Sequence, residues 1–176
     1  MGPCQTPVSR PAVSSPTLTH PGSPMTINGL LAAHGLWQGT NRLQDPTTGA
    51  PDETPSTAAV TSAVGGRFWR IAYTWMYGGC PQEGELLVGY QPRTDVATVH
   101  WADTWHTGDT VIACTGTVGD DGVVSVVGSY AAPPGPDWGW RIAVEPVGRE
   151  SLRVVMHNVS PEGEASLAVE SEYTPA

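Results

Sequence analysis

The sequence contains no lysine and little positive charge of any kind. Its 8 basic residues are all arginines, and they stand against 17 acidic residues, for a formal net charge of −9 over 176 residues. Phosphate backbones and anionic membrane surfaces are bound by basic patches, so we expect neither nucleic acid nor a membrane as a partner. The absence of lysine also excludes Schiff-base chemistry, a pyridoxal phosphate anchor and the lysine of a P-loop.

Long apolar runs are missing too, and cysteines are few. No stretch approaches the ~20 apolar residues needed to cross a bilayer, and the N-terminal segment lacks the apolar region of a secretory signal. The three cysteines, Cys4, Cys80 and Cys114, form no C-x-x-C pair, which argues against a disulfide framework and against a zinc site. We therefore expect a cytoplasmic protein with reduced thiols and no bound metal.

The first 24 residues differ in composition from the rest of the chain. They hold six of the 17 prolines, four serines and a single charge, Arg10. No hydrophobic period runs through them, which is typical of disorder. We expect a disordered leader over 1–24, added ahead of an original start at Met25, and a single folded domain over 25–176.

From Gly35 onward the chain alternates short strand-like runs with turn signals. The runs, rich in Val, Ile, Thr, Trp and Tyr, are 36–43, 57–64, 67–77, 84–91, 95–105, 109–118, 123–131, 138–146, 151–159 and 165–173. Only 26–34 has helical character. Consecutive hairpins favour closure, which removes edge strands, so the pattern predicts an all-β fold: an antiparallel up-and-down barrel of about ten strands. A barrel of that size is expected to enclose a cavity.

Several short segments together resemble a known family. They are GLWQG at 35–39, GGRF at 65–68, HWADTWH at 100–106, WGWR at 138–141 and NVSPEG at 158–163. The set is similar to a bacterial domain-of-unknown-function family of calycin-like barrels, related in shape to lipocalins and fatty-acid-binding proteins. The resemblance implies a barrel closed at one end by a tryptophan, here Trp37, and it carries no assigned chemistry. The haem-binding nitrobindins look like more distant relatives.

The segment 100–106 contains the most informative candidates. Alternation along a strand places Trp101, Asp103 and Trp105 on one face and His100 and His106 on the other. The two histidines are about 20 Å apart on a regular strand, too far to share a metal ion. If the tryptophan face is internal, Asp103 becomes a carboxylate in an apolar cavity and a candidate acid, base or anchor. An arginine partner is expected for it, from Arg141, Arg70 or Arg153, unless Asp103 instead caps a turn on the outer face.

Three further features allow either a structural or a ligand-binding interpretation. Trp69, Tyr73 and Trp75 lie on one face of the run 67–77, where an aromatic stripe is typical of a barrel core but can also line a pocket. Arg141 suits a ligand carboxylate, but on a regular strand it points away from the face that carries Trp138 and Trp140. His157, on a late strand, is an exposed or satisfied histidine unless it ligates haem.

The sequence thus favours binding of a small, largely apolar or amphipathic ligand inside the barrel. The walls would be Trp69, Tyr73, Trp75, Trp101 and Trp105, and the polar end of the ligand would be oriented by Asp103 and Arg141. No cofactor is predicted. The alternatives are a cyclase- or isomerase-type barrel enzyme with Asp103 or His100 as general base, a haem protein with His157 or His106 as ligand, and a β module with a filled core that could form a homodimer.

Overall fold

The computed structural model describes residues 28–176. They form one short helix and ten strands: α1 Asn28–Ala32, β1 Gly35–Gln44, β2 Pro51–Ala63, β3 Phe68–Tyr77, β4 Cys80–Gln91, β5 Val96–Asp103, β6 Ile112–Val118, β7 Val124–Tyr130, β8 Trp138–Val147, β9 Ser151–Val159 and β10 Ala165–Pro175. No helix in this range is long and apolar enough to cross a membrane. The expected disordered leader and the start at Met25 lie outside the described residues.

The ten strands form one closed antiparallel barrel in which each strand pairs with its neighbours in sequence. Closure comes from β1 and β10, which pair from Trp37 opposite Pro175 to Leu43 opposite Val169. The predicted all-β up-and-down barrel is therefore confirmed. The main difference in bounds is β2, which begins at Pro51 rather than near residue 57. Its polar, proline-containing start gives no strand signal, but it pairs with β1 as far as Gln44.

One end of the barrel is closed by α1 and filled by aliphatic side chains. Leu30 of α1 is fully buried, and Trp37 donates a hydrogen bond from its indole nitrogen to the Ala33 carbonyl at 2.8 Å, which fixes α1 to the start of β1. Trp69 lies at this end, where its ring meets His34 edge to face. The interior beyond it is packed with fully buried side chains, among them Val60, Ile71, Leu86, Val88, Val99, Val126, Ile142 and Leu152. These side chains fill this part of the barrel.

The opposite end, which we call the mouth, collects the other set of loops. These loops connect β1 to β2, β3 to β4, β5 to β6, β7 to β8 and β9 to β10. The tightest is the turn at Gly78 and Gly79, whose positive φ angles of 55° and 78° suit glycine. The strands thus run between a filled closed end and a mouth bordered by loops, and a cavity lies at the mouth.

Candidate functional site

The most heavily hydrogen-bonded side chain in the barrel is Asp103, the last residue of β5. Its Oδ2 accepts hydrogen bonds from Tyr73 Oη at 2.9 Å and from Trp75 Nε1 at 3.1 Å. Its Oδ1 accepts from the backbone N–H groups of Trp105 and His106, each at 2.9 Å, and lies 3.0 Å from Nδ1 of the His106 ring. A buried carboxylate is tolerated because every one of these partners compensates for lost water.

These contacts set the protonation of two groups. Burial by itself raises the pKa of Asp103, but the hydrogen bonds and charge of His106 and the backbone N–H groups of His106 and Trp105 outweigh it, so the net pKa is lowered. Burial, followed by the nearby charge of Asp103, holds the pKa of Tyr73 well above its ordinary value. Asp103 is therefore an anion, and Tyr73 remains a hydroxyl that can donate to it.

His106 reaches Asp103 because the chain leaves the strand geometry directly after Asp103. Residues 104–109 form a turn, in which Thr107 Oγ1 accepts from the Asp103 backbone N–H at 2.9 Å and Gly108 adopts a φ of 55°. We expected His106 to lie on the face opposite Asp103, which was wrong. The alternation rule holds only within a regular strand, and here the turn folds the imidazole back over the carboxylate.

A glycine on β4 makes room for this arrangement. Gly84 lies between Tyr73 of β3 and Asp103 of β5 in the sheet. A Cβ atom at this position would lie 2.3 Å from the Tyr73 hydroxyl and 2.8 Å from Asp103 Oδ2. The phenol crosses directly over the Gly84 backbone to reach the carboxylate, so any larger residue would displace it.

We call Tyr73, Trp75, Trp101, Asp103 and His106 the floor cluster. It is connected by hydrogen bonds, because Trp101 Nε1 also donates to Tyr73 Oη at 2.7 Å. Below it, toward β9 and β10, the remaining gap is about 10 Å³, which is space for one water at most. A ligand larger than water does not fit in this gap, whereas the mouth side of the floor cluster is more open.

On that side lies a cavity of about 660 Å³, which we call the mouth cavity. Its apolar walls are largely aromatic and aliphatic: Leu43, Trp101, Trp105, Ile112, Tyr130 and Trp140. Its polar lining includes His106 and Asn158, and Asn158 Oδ1 accepts a hydrogen bond from Tyr130 Oη at 2.8 Å. This volume and this mixture of apolar walls with a few polar groups are typical of small-molecule sites.

Two residues that line this cavity each carry a buried nitrogen atom without a hydrogen-bond partner. They are His106 Nε2 and Trp140 Nε1, and among the described side chains these are the two buried polar atoms without a partner. The rings that carry them are neighbours, with centroids 5.7 Å apart. An unpaired buried polar group costs about 1–3 kcal/mol, and both atoms are enclosed by protein rather than exposed to the mouth cavity.

A larger depression, of about 720 Å³, lies on the outer face of β2 to β5. Its lining includes small side chains such as Ala59 and Ala72 and four charged residues, Arg70, Glu83, Glu85 and Asp103. Arg70 pairs with Glu85 at 2.6 Å, and the Asp103 carboxylate is already held by the floor cluster. Its lining includes the aromatic residues Trp37 and Tyr73, whereas the mouth cavity is lined by Trp101, Trp105, Tyr130 and Trp140. We therefore place the candidate site in the mouth cavity despite its smaller volume.

Six of the sequence candidates come together at this end of the barrel. Trp101, Trp105 and His106 line the mouth cavity, and Tyr73, Trp75 and Asp103 lie in the floor cluster. The tryptophan face of β5 is internal, so Asp103 is the buried carboxylate that this orientation implied. Whether these residues bind a ligand remains a prediction.

The other candidates lie elsewhere. Trp69 is at the closed end, and His100, Arg141 and His157 are on the outer face, since each alternates with inward residues of its strand. Arg141 pairs across the sheet with His157, so both lie outside the barrel.

The expected arginine partner of Asp103 was wrong. Arg141 is exposed on the outer face, and Arg70 and Arg153 form outer ion pairs with Glu85 and Glu170. A regular strand cannot turn an outward arginine into the interior. His106, not an arginine, is the side chain that pairs with Asp103.

Sequence reasoning missed Trp140 and the role of His106. A sequence signal for the position of His106 was present. Asp103 is followed by Thr104 and then by Gly108-Asp109, a composition that suggests a turn. In such a turn the Asp side chain accepts hydrogen bonds from the backbone N–H groups two and three residues ahead. Trp140 carried a weaker signal, since it is one of two tryptophans in the segment WGWR and only pairing with β9 opposite Asn158 shows that its ring faces the cavity.

Comparison with known proteins places the chain in a family. A family described as "Protein of unknown function (DUF1579)" matches residues 28–175, which is nearly the whole of the described barrel. The chain belongs to the DUF1579 family. The predicted membership of a domain-of-unknown-function family is thereby confirmed. No curated protein is detectably similar to this DUF1579 chain.

Among solved structures, the DUF1579 barrel is similar to Rv2717c from M. tuberculosis. The TM-score is 0.54 at 14% sequence identity, over 85% of this chain and 96% of that one. Similarity at this identity supports the fold, and the site must be argued from its own residues.

Proposed function

We propose that this DUF1579 protein binds a small, largely apolar molecule with one polar end in the mouth cavity. The observation that carries the proposal is an aromatic cavity of about 660 Å³ whose polar lining includes His106 and Asn158. Apolar walls with a few polar groups are the usual lining of a small-molecule site. The polar end of the ligand would lie beside His106 and Asn158.

The walls supply the remaining affinity. Trp101 and Trp140 stack with ring centroids 5.0 Å apart and planes 16° from parallel, and Trp105 lies at the mouth against Tyr77. Flat rigid aromatic surfaces favour a flat apolar body, and its burial contributes about 25 cal/mol per Å². Specificity would come from His106 and Asn158, and affinity from the rings.

The first measurement is native mass spectrometry of the untagged protein, compared with its denatured mass. A small molecule released on denaturation would support the proposal and identify the ligand class. Haem is the second candidate occupant, because His106 lines the cavity and is oriented by a carboxylate, as metal-binding histidines often are. An absorption band of bound haem that disappears in His106→Ala would assign the cavity to it.

Binding is then tested with 8-anilinonaphthalene-1-sulfonate (ANS), whose fluorescence rises in apolar sites. Trp105→Ala should weaken ANS binding about tenfold or more, the scale of a lost buried aromatic contact. Arg141→Ala is the matched control, because Arg141 lies on the outer face next to Trp140. Equal affinities for both variants, with native near-ultraviolet circular dichroism, would contradict the assignment of the mouth cavity.

A further inference from the structure

We propose that the mouth cavity selects uncharged ligands whose polar end accepts a hydrogen bond, and that it rejects carboxylates of the same shape. The inference rests on the proposed binding function and narrows its ligand class. Two features of the described lining carry it. No residue in it supplies a net positive charge, and the side-chain amide of Asn158 offers hydrogen-bond donors that no other described residue uses. Asn158 is thereby the specificity-determining residue.

The lining offers a ligand carboxylate no cation. The described residues that line the mouth cavity include no arginine, aspartate or glutamate, and the sequence contains no lysine. His106 is the lining residue that can become positive, but its Nδ1 lies 3.0 Å from the Asp103 carboxylate. Any charge on the imidazole is balanced by that anion, so the pair is neutral or negative and never positive.

Two arginines adjoin lining residues in the sequence, and both lie outside the barrel. Arg42 of β1 pairs on the outer face with Glu53 at 2.8 Å and with Glu170 at 3.2 Å. Arg141 of β8 is likewise exposed on the outer face. A carboxylate in the cavity would lose water without gaining a charge partner, close to the Asp103 anion and in a protein of formal net charge −9. Burial of an anion in this cavity is therefore unfavourable.

A ligand cation meets a similar obstacle. Aromatic rings such as those of Trp101 and Trp105 attract cations, but the described lining contains no acidic side chain. The oxygens of Asp103 are already occupied by the hydrogen bonds of the floor cluster. An ammonium group would thus be buried without a counter-ion. The lining suits a ligand that carries no charge of either sign.

Asn158 supplies the hydrogen-bond donors. Its Oδ1 accepts from Tyr130 Oη at 2.8 Å, which orients the amide, and its Nδ2 makes no hydrogen bond to the described residues. Unlike His106 Nε2 and Trp140 Nε1, this nitrogen is not enclosed by protein, so a ligand in the cavity can reach it. An amide nitrogen donates and does not accept. The complementary ligand group is therefore an uncharged acceptor.

The test uses three ligands with the same naphthalene ring: 2-naphthamide, 2-naphthoate and 2-naphthylmethylammonium. Each is titrated at neutral pH against protein loaded with N-phenyl-1-naphthylamine, an uncharged fluorescent dye that is ANS without its sulfonate. Loss of dye fluorescence measures displacement. We expect 2-naphthamide to bind at least about tenfold more tightly than either charged ligand, because only the charged ones bury an unpaired ion. ANS should bind more weakly than the uncharged dye.

Val111→Arg adds the missing cation at the mouth. Val111 lines the cavity and is exposed, so the substitution should leave the fold intact. It should strengthen binding of 2-naphthoate by about fivefold, the scale of a partly exposed ion pair, and leave 2-naphthamide unchanged. Val127→Arg is the matched control, because Val127 is exposed on the outer face. It adds the same charge to the protein and should change neither affinity.

Asn158→Leu removes the donors and keeps a similar volume. It should weaken binding of 2-naphthamide by about three- to tenfold, the contribution of one hydrogen bond, and leave the affinity for N-phenyl-1-naphthylamine unchanged, since this dye has no oxygen. His157→Leu, on the outer face of the same strand, should change neither. If Asn158→Leu lacks the near-ultraviolet circular dichroism of the folded protein, Asn158→Ala replaces it.

The outcomes separate this inference from the proposed function. If the uncharged dye binds but 2-naphthoate matches 2-naphthamide, or if Val111→Arg and Val127→Arg act equally on 2-naphthoate, charge selection is overturned and the binding function stands. Tightest binding by the ammonium compound would overturn it in favour of a cation site. An unchanged affinity of the folded Asn158 variant for 2-naphthamide would overturn the role of Asn158. If neither dye binds, the proposed function itself fails.

Discussion

The closed end of the barrel and its mouth are built from the same ten strands, yet the two ends are filled differently. At the closed end the inward positions carry aliphatic side chains such as Leu86 and Leu152, which pack without polar atoms. Toward the mouth the inward positions carry tryptophans, tyrosines and a carboxylate, and packing stops at the mouth cavity. A side chain at the closed end therefore contributes through volume, whereas one near the mouth contributes through hydrogen bonds and leaves space for a ligand.

The largest expected effect comes from a substitution in the floor cluster, the polar region near the mouth. Asp103→Asn removes the charge that five hydrogen bonds hold in the floor cluster, and it should lower the free energy of unfolding by about 4 kcal/mol at neutral pH, as for a broken buried pair. Urea unfolding measures it. Asp109→Asn, an exposed change in the same loop, is the control and should have little effect.

The stability difference between the wild type and Asp103→Asn should depend on pH in a direction set by the pKa of Asp103. The pKa of Asp103 is lowered in the folded protein, so its stabilisation is present above the unfolded pKa of about 3.9 and is lost as the pH falls through the folded value. The difference between wild type and Asp103→Asn should therefore shrink on acidification below about pH 4. A difference that stays constant would mean that the charge of Asp103 contributes nothing to stability.

The second effect tests the closed end. Leu152→Ala removes a fully buried side chain from the aliphatic half and should lower the free energy of unfolding by about 3 kcal/mol. ANS affinity should not change, because Leu152 lies away from the mouth cavity. Leu36→Ala is the matched control, since Leu36 is 70% exposed. Weaker ANS binding by folded Leu152→Ala would show that the two ends are coupled.

How far the sequence could predict this arrangement differs between the same two regions. The closed end follows from alternation, since a run such as 138–146 places every second residue, among them Ile142 and Val144, inside the barrel. The hairpin turns between the runs set the order of the strands. The floor cluster does not follow in the same way. His106 faces Asp103 because a turn replaces the strand at residue 104, and Tyr73 reaches Asp103 because Gly84 has no side chain. Such contacts depend on register across strands, which one sequence does not specify.

The smallest expected effect comes from comparing the same substitution, Tyr to Phe, at the mouth and in the buried floor cluster. Tyr130→Phe removes the hydrogen bond to Asn158 Oδ1 at the mouth and should cost about 0.5–1 kcal/mol, because solvent can replace it. Tyr73→Phe removes a donor from the buried Asp103 carboxylate and should cost about 2 kcal/mol, the range for hydrogen bonds to charged groups. Both are measured by urea unfolding at neutral pH. Equal losses would mean that burial does not set the strength of these hydrogen bonds, and the floor cluster would then be no more than an extension of the polar mouth.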